Sequence, residues 1–198
     1  QASITDACDV CVVGNWAYVT NFGTSLVPVD VSIPNAPDSY PPVTSGTNGY
    51  GIDHQDGYLY VATSDKPRVF SLADPSAPTL LSTFGGNGAY EIDAIGDRLY
   101  VTYWGGYRFS IYSLTDPENP EFIGYWQSDS GYGGADIVWL HDYIYFGTNN
   151  HYLEVIDVDD PESTFEIRQV STDGPDGLDT DGLFVFSAEN EDGLKIIL

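Results

Sequence analysis

The stretch YSLTDPENPEFIGYW, residues 112–126, passes from an apolar segment through Asp-Pro and a second Pro into another apolar segment. The same punctuation recurs in VPVDVSIPNAP (27–37), RVFSLADPSAP (68–78) and LEVIDVDDPEST (153–164). Taking Pro34, Pro75, Pro117 and Pro161 as equivalent gives steps of 41, 42 and 44 residues. A second marker is an alternating aromatic segment after a Gly, Asp or Asn turn. It reads GNWAYVT (14–20), DGYLYVA (56–62), GDRLYVT (96–102), HDYIYFG (141–147) and DGLFVFS (181–187). Tyr18, Tyr60, Tyr100, Tyr145 and Val185 then step by 42, 40, 45 and 40 residues. Two independent markers that agree on a period of about 42 residues establish an internal repeat.

Each period divides into four short strands. In the third, YEIDAI (90–95), RLYVTY (98–103), RFSIYSL (108–114) and EFIGYW (121–126) are bounded by Gly, Asp and Pro turns. Each is rich in aromatic and β-branched residues, and none shows helical periodicity. Four antiparallel strands in 40–45 residues is the pattern of a propeller blade. TDPENP is then the turn between third and fourth strands, where Asp before Pro starts a turn and no ladder donor is needed. The expected fold is an all-β, five-bladed β-propeller in a single domain spanning 1–198. Its blades fall at approximately 8–49, 50–89, 90–134, 135–175 and 176–198 plus 1–7. The last unit lacks a Pro turn and fourth strand, so the segment QASITDA (1–7) is expected to close the final blade, removing an edge that would otherwise template aggregation; the alternative is an open fragment of a longer array.

Thirty Asp and Glu against six Lys and Arg give a formal net charge of -24, where small soluble domains commonly carry about 2–8 in magnitude. Such a chain lacks the basic face that nucleic acid requires, and anionic membranes repel it. It suits surroundings rich in cations, which screen self-repulsion. No apolar run approaches the length of a membrane-spanning helix. The polar start at Gln1 reads as a mature or trimmed chain without a signal peptide. Cys8 and Cys11 form a C-x-x-C in a β-rich segment; with no second pair for zinc, two small packed residues is the plainer reading. His54, His141 and His151 sit in different blades, so no shared metal site is expected. The Gly-rich loops lack the Lys of a phosphate cradle.

CDVCVVGNWAYVT (8–20), LVPVDVSIPNAP (26–37) and LEVIDVDDPES (153–163) resemble the LVIVD-repeat β-propeller family. That resemblance implies the blade architecture over essentially the whole chain but no particular chemistry. It further implies an extracellular or cell-surface protein with a binding or structural role.

By analogy with other propellers, the first strand of each blade faces a central channel, and the loops before it and between the second and third strands open on one face. Early first-strand positions are Asp9, Gly51, Glu91, Asp136 and either Asp176 or Gly177. Two residues later come Cys11, Asp53, Asp93, Val138 and either Leu178 or Asp179. Asp9, Asp53, Glu91, Asp93 and Asp136 thus form a candidate cation site. Converging carboxylate oxygens suit Ca²⁺, although no cofactor is required. Tyr50, Tyr90, Tyr103, Trp104, Tyr107 and Tyr132 fall in the expected mouth loops and suit stacking on sugar faces. The main expectation is a non-catalytic module that binds protein or carbohydrate at the cell surface, or assembles as a homo-oligomer or polymer. The alternative is a lectin-like protein or a glycoside-active enzyme built on paired carboxylates such as Asp53, Glu91, Asp93 and Asp136.

Overall fold

The computed structural model describes residues 4–23, 25–44, 46–129, 134–148, 151–189 and 193–197. The fold is all-β, a five-bladed β-propeller of antiparallel sheets with no helix among the described residues. Sheet 1 comprises β1 (Ala7–Val13), β2 (Trp16–Asn21) and β3 (Ser25–Asp30), its outer position shared by β4 (Asp38–Ser39) and β5 (Val43–Thr44). Sheet 2 comprises β6 (Gly49–Gln55), β7 (Tyr58–Thr63), β8 (Arg68–Ser71) and β9 (Thr79–Thr83). Sheet 3 comprises β10 (Ala89–Ile95), β11 (Arg98–Tyr103), β12 (Arg108–Ser113) and β13 (Glu121–Gln127). Sheet 4 comprises β14 (Gly134–Leu140), β15 (Tyr143–Thr148), β16 (Tyr152–Asp157) and β17 (Phe165–Ser171). Sheet 5 comprises β18 (Pro175–Thr180), β19 (Val185–Glu189) and β20 (Gly193–Ile197).

Of the segment expected to close the last blade, residues 1–3 lie outside the described residues. Ile4 packs against Ala17, Val27 and Val29 of sheet 1, and the carbonyl of Asp6 accepts a hydrogen bond from Phe22 N (3.2 Å). The chain forms two compact units, residues 1–99 with 113–121, and residues 100–112 with 122–198.

The alternating segments become the second strands. In β7 the run Leu59, Tyr60, Val61, Ala62 and Thr63 is buried throughout, because a sheet covered on both faces needs apolar or satisfied side chains on each. The outer strand β9 is largely exposed. In sheets 1 to 4 the first-to-second-strand connections are two-residue hairpins. Asp56 and Gly57 both take positive φ (50° and 87°), as a two-residue turn matched to strand twist requires.

The Pro turns share one geometry. Ala77 N donates to Asp74 O (3.1 Å), Asn119 N to Asp116 O (3.1 Å) and Ser163 N to Asp160 O (2.9 Å). Each turn thus carries Asp at its first position and Pro at its second. The Asp side chain adds a second closure. Oδ1 of Asp74, Asp116 and Asp160 accepts from the backbone N of Ser76 (3.0 Å), Glu118 (3.1 Å) and Glu162 (3.0 Å). In the first repeat Ile33 replaces the Asp, and Ala36 N still donates to Ile33 O (2.9 Å).

These turns also tie neighbouring sheets together. Tyr18 donates its hydroxyl to the Pro75 carbonyl (3.1 Å), and Tyr60 does the same to Pro117 (3.3 Å). A buried tyrosine of one sheet therefore grips the Pro turn of the next. Burial pushes both phenols up to about 12. At Gly124 a Cβ would overlap the Pro161 carbonyl, so the same turn presses on backbone with no room for a side chain.

Candidate functional site

The acidic residues of the inner strands include the five of the expected cation site, Asp9, Asp53, Glu91, Asp93 and Asp136. Asp9 on β1 places Oδ1 on its own neighbour Val10 N (2.7 Å) and Oδ2 on Ile52 N of β6 (3.0 Å). Asp53 on β6 repeats this, with Oδ1 on His54 N (2.7 Å) and Oδ2 on Ala94 N of β10 (2.8 Å). In the second unit Asp136 on β14 does so again, with Oδ1 on Ile137 N (2.8 Å) and Oδ2 on Leu178 N of β18 (2.6 Å). Each carboxylate is a clamp. One oxygen caps the next residue and the other crosses to the neighbouring inner strand. Glu91 lies against Gly51, where a Cβ would overlap its Oε1 and stand 2.9 Å from its Cα. Its Oε1 accepts from Ile92 N (3.2 Å). Asp93 is two residues further along β10, half-buried.

Burial raises the Asp53 carboxyl above its ordinary value, against the pull of its two backbone donors, and the like charge of Asp9 adds to the rise. Cys11, which pairs with Tyr18 as Asp53 pairs with Tyr60, is pushed up to about 12 by burial and by the charges of Asp53 and Asp9. Cys8 is also raised, first by burial. Both are free thiols, held protonated at neutral pH and so poor nucleophiles. Among the described residues, no three His, Cys, Asp or Glu side chains converge in a way that could hold a metal ion. Each of the carboxylates of Asp9, Asp53 and Asp136 already accepts two backbone N–H groups, one on each oxygen.

The aromatic residues divide. In the first unit, Phe22, Tyr50 and Tyr90 form a row. Phe22 meets Tyr50 edge-on with centroids 5.6 Å apart, and Tyr50 meets Tyr90 at 6.0 Å with a 45° tilt. Phe22 stands in the turn after β2, while Tyr50 and Tyr90 open β6 and β10. The loops beneath are stitched to one another. Gly23 N donates to Asn48 Oδ1 (3.0 Å), Ser64 N to Asn48 O (3.1 Å) and Gly88 N to Asp65 O (2.9 Å). The hydroxyls of Thr47 and Ser64 share a 2.6 Å hydrogen bond. The row is exposed at Phe22 and half-buried at both tyrosines.

In the second unit, Trp104 and Tyr107 are exposed in the β11–β12 turn, which Gly106 N closes onto Tyr103 O (3.0 Å). Tyr103 itself corrects the expectation. It is buried, shares a 2.8 Å hydroxyl hydrogen bond with Tyr112, and lies under the Arg108 guanidinium at 5.7 Å. Tyr103 is the last residue of β11, whose run from Leu99 to Tyr103 is buried throughout, and Trp104 stands one residue on in the exposed turn. Tyr132 lies outside the described residues. Phe22 was missed, although a signal was available: it stands four residues after Tyr18, as Trp104 stands four after Tyr100.

Comparison with known proteins agrees with this architecture. The LVIVD-repeat model matches residues 5–39 and 133–172. No curated protein matches the sequence. Among solved structures, a protein from Lactobacillus plantarum superposes with a TM-score of 0.81 at 19% identity, over 96% of this chain and 66% of that one. The Cps50 (Swd1) β-propeller domain of Myceliophteria thermophila gives 0.73 at 11% identity, over 92% of this chain and 65% of that one. BamB from Moraxella catarrhalis gives 0.75 at 11% identity, over 99% of this chain and 58% of that one. The chain therefore spans less than two thirds of the length of each, and at these identities the likeness is one of fold. On this five-bladed β-propeller, the two matches to the LVIVD-repeat model fall on the first and fourth blades.

Proposed function

We propose that this chain is a non-catalytic binding module of the cell exterior, and that the row Phe22–Tyr50–Tyr90 is its ligand-bearing face. The observation that carries this reading is the row itself: three contiguous rings at the loop end, on loops already fixed by hydrogen bonds. A pre-ordered aromatic surface loses little freedom on binding and suits the apolar face of a saccharide ring. The clamps support the non-catalytic side of the reading. Asp9, Asp53 and Asp136 each join their own strand to the neighbouring inner strand, a structural task that fixes the carboxylate in place.

The extracellular or cell-surface setting rests on the net charge of -24 and on the LVIVD repeat. Cations, Ca²⁺ included, act here chiefly by screening self-repulsion. Two measurements test these points. Tyr50→Ala and Tyr90→Ala are expected to weaken capture on an array of neutral oligosaccharides by about tenfold each, the loss of roughly 1.4 kcal/mol. Retention of wild-type binding by both would overturn the assignment of the face. NaCl and CaCl₂ at matched ionic strength are expected to raise the melting temperature alike. A rise unique to Ca²⁺ would instead mark a specific ion site.

A further inference from the structure

The aromatic row of the first unit is not a flat platform. The planes of Phe22 and Tyr50 cross at 76°, and those of Tyr50 and Tyr90 at 45°. A flat hydrocarbon surface stacks on one such ring at a time. An ammonium group is drawn to the negative face of every ring it can reach, and inclined rings offer it several.

A carboxylate accompanies each ring. The backbone N of Phe22 donates to the carbonyl of Asp6 (3.2 Å), an exposed residue. The carbonyl of Tyr50 accepts from Thr20 Oγ1, which accepts from Asp9 N (3.1 Å), and the Asp9 carboxylate reaches Ile52 N (3.0 Å) two residues beyond Tyr50. The residue after Tyr90 is Glu91, whose carboxylate fills the space that Gly51, the residue after Tyr50, leaves without a side chain. Asp9 and Glu91 accept backbone hydrogen bonds, yet their charge stays in place and acts on a ligand through space. Asp53 and Asp93 lie three residues beyond Tyr50 and Tyr90. At about 3.3 Å per residue that is about 10 Å, the screening length in 0.1 M salt.

The basic residues of the unit do little to offset this charge. Arg98 stands at the far hairpin beside Asp97 (3.9 Å), and Arg68 is buried facing Asp65 (4.0 Å). Lys66 is the exposed cation of the loop end. The Cys8 thiol registers the acidic field, since after burial its rise comes from Asp9 and Asp6.

Resting on the reading of that row as a saccharide face, we propose that its ligand carries positive charge: Phe22, Tyr50 and Tyr90, with Asp6, Asp9 and Glu91, select saccharides bearing a protonated amine over neutral ones and reject those bearing carboxylates. The pyranose stacks on one ring, while its ammonium meets the inclined faces and the surrounding negative charge. Like-charge repulsion keeps acidic sugars away.

Short oligomers of glucosamine, N-acetylglucosamine and glucuronate share a pyranose frame and differ in charge. Their affinities for the whole chain are compared by calorimetry at about pH 6, below the range of a typical α-amino group, in NaCl at about 0.1 M and about 1 M. At the lower salt the glucosamine oligomer is expected to bind about tenfold more tightly than its N-acetylated counterpart, and the glucuronate oligomer at least about tenfold less tightly. At the higher salt the screening length falls to about 3 Å, and the first ratio should contract to about twofold. Glu91→Gln keeps an oxygen for Ile92 N and should lower that ratio by about threefold, at an unchanged melting temperature. Asp56→Asn removes the same charge in the hairpin about 20 Å along β6 and should leave the ratio as it is. If Glu91→Gln melts early, the wild-type ratios and their salt dependence still decide. Equal binding of the charged and N-acetylated oligomers overturns the charge class and leaves the aromatic face standing. Binding of none of the three overturns the saccharide face and the charge class together. Glucosamine binding that survives Tyr50→Ala, or that falls as much with Asp56→Asn as with Glu91→Gln, traces the preference to net charge and overturns the proposal. A short lysine oligomer that competes as well as glucosamine overturns the saccharide class in favour of peptide amines.

Discussion

Two sets of tyrosines in the first unit differ only in where the repeat places them. Tyr18 and Tyr60 sit mid-strand, fully buried, each with its hydroxyl on a Pro-turn carbonyl of the next sheet. Tyr50 and Tyr90 sit at the opening of an inner strand, half-buried, touching other rings. The first pair spends both parts of the side chain on the fold, ring in the core and hydroxyl on the backbone. The second pair keeps ring surface at the loop end. A tyrosine that recurs with the repeat at a central-strand position is an anchor. One that opens an inner strand keeps part of its ring at the surface.

The largest effect that could break this distinction is at the anchors. Tyr60→Ala empties a fully buried aromatic site and is expected to cost about 3–5 kcal/mol, read as a fall in the midpoint of urea unfolding. A loss comparable to that of Tyr90→Ala would erase the contrast. Gly124→Ala comes next. Its Cβ would overlap the Pro161 carbonyl, and because the obstacle is backbone, the sheets must part. About 1–3 kcal/mol of destabilisation is expected.

Tyr60→Phe sharpens the comparison, since it removes only the hydroxyl and leaves the ring. The Pro117 carbonyl loses its donor, at about 1 kcal/mol. The same urea midpoints should show Tyr50→Ala and Tyr90→Ala costing about 1 kcal/mol or less, the scale of one aromatic contact, while oligosaccharide capture falls. Stability and binding thus separate by location.

Most of the fold was legible because it depends on turn chemistry, which is local. Asp-Pro fixes the first two positions of a turn whatever surrounds it, and the strands of sheet 3 fall within a residue or two of the segments read from YEIDAI, RLYVTY, RFSIYSL and EFIGYW. The site was less legible because it depends on register between sheets. Nothing in the spacing of Asp9, Asp53 and Asp136 says that their second oxygens meet N–H groups of the neighbouring inner strand. The inner strands also begin with an irregularity, between Ala7 and Val10, Gly49 and Ile52, Gly134 and Ile137, and Pro175 and Gly177. Each such shift breaks the simple alternation of faces. In the last blade the pairing Thr180↔Val185 leaves four residues in the turn where other blades have two. The choice between Leu178 and Asp179 was open in the sequence for that reason.

The smallest effect concerns the clamps, and it turns on sign. Asp53 titrates above its ordinary value of 3.8 in the folded protein, chiefly because it is buried. Between that value and the raised one, the folded chain binds more protons at this site than the unfolded chain does. Stability from Asp53 is therefore fully present below 3.8 and declines as pH rises through the folded value. Asn does not titrate and keeps one oxygen to accept a backbone donor. The stability gap between wild type and Asp53→Asn should then narrow as pH rises across that acid window and stay constant above it. Urea unfolding of both proteins at a series of pH values reads this directly, with the other carboxylates cancelling in the difference. A gap that widens with pH would mean that the backbone donors on Asp53 outweigh its burial. The carboxylate would then be a stabilising partner of the neighbouring strand at neutral pH, and the clamp would gain strength as pH rises.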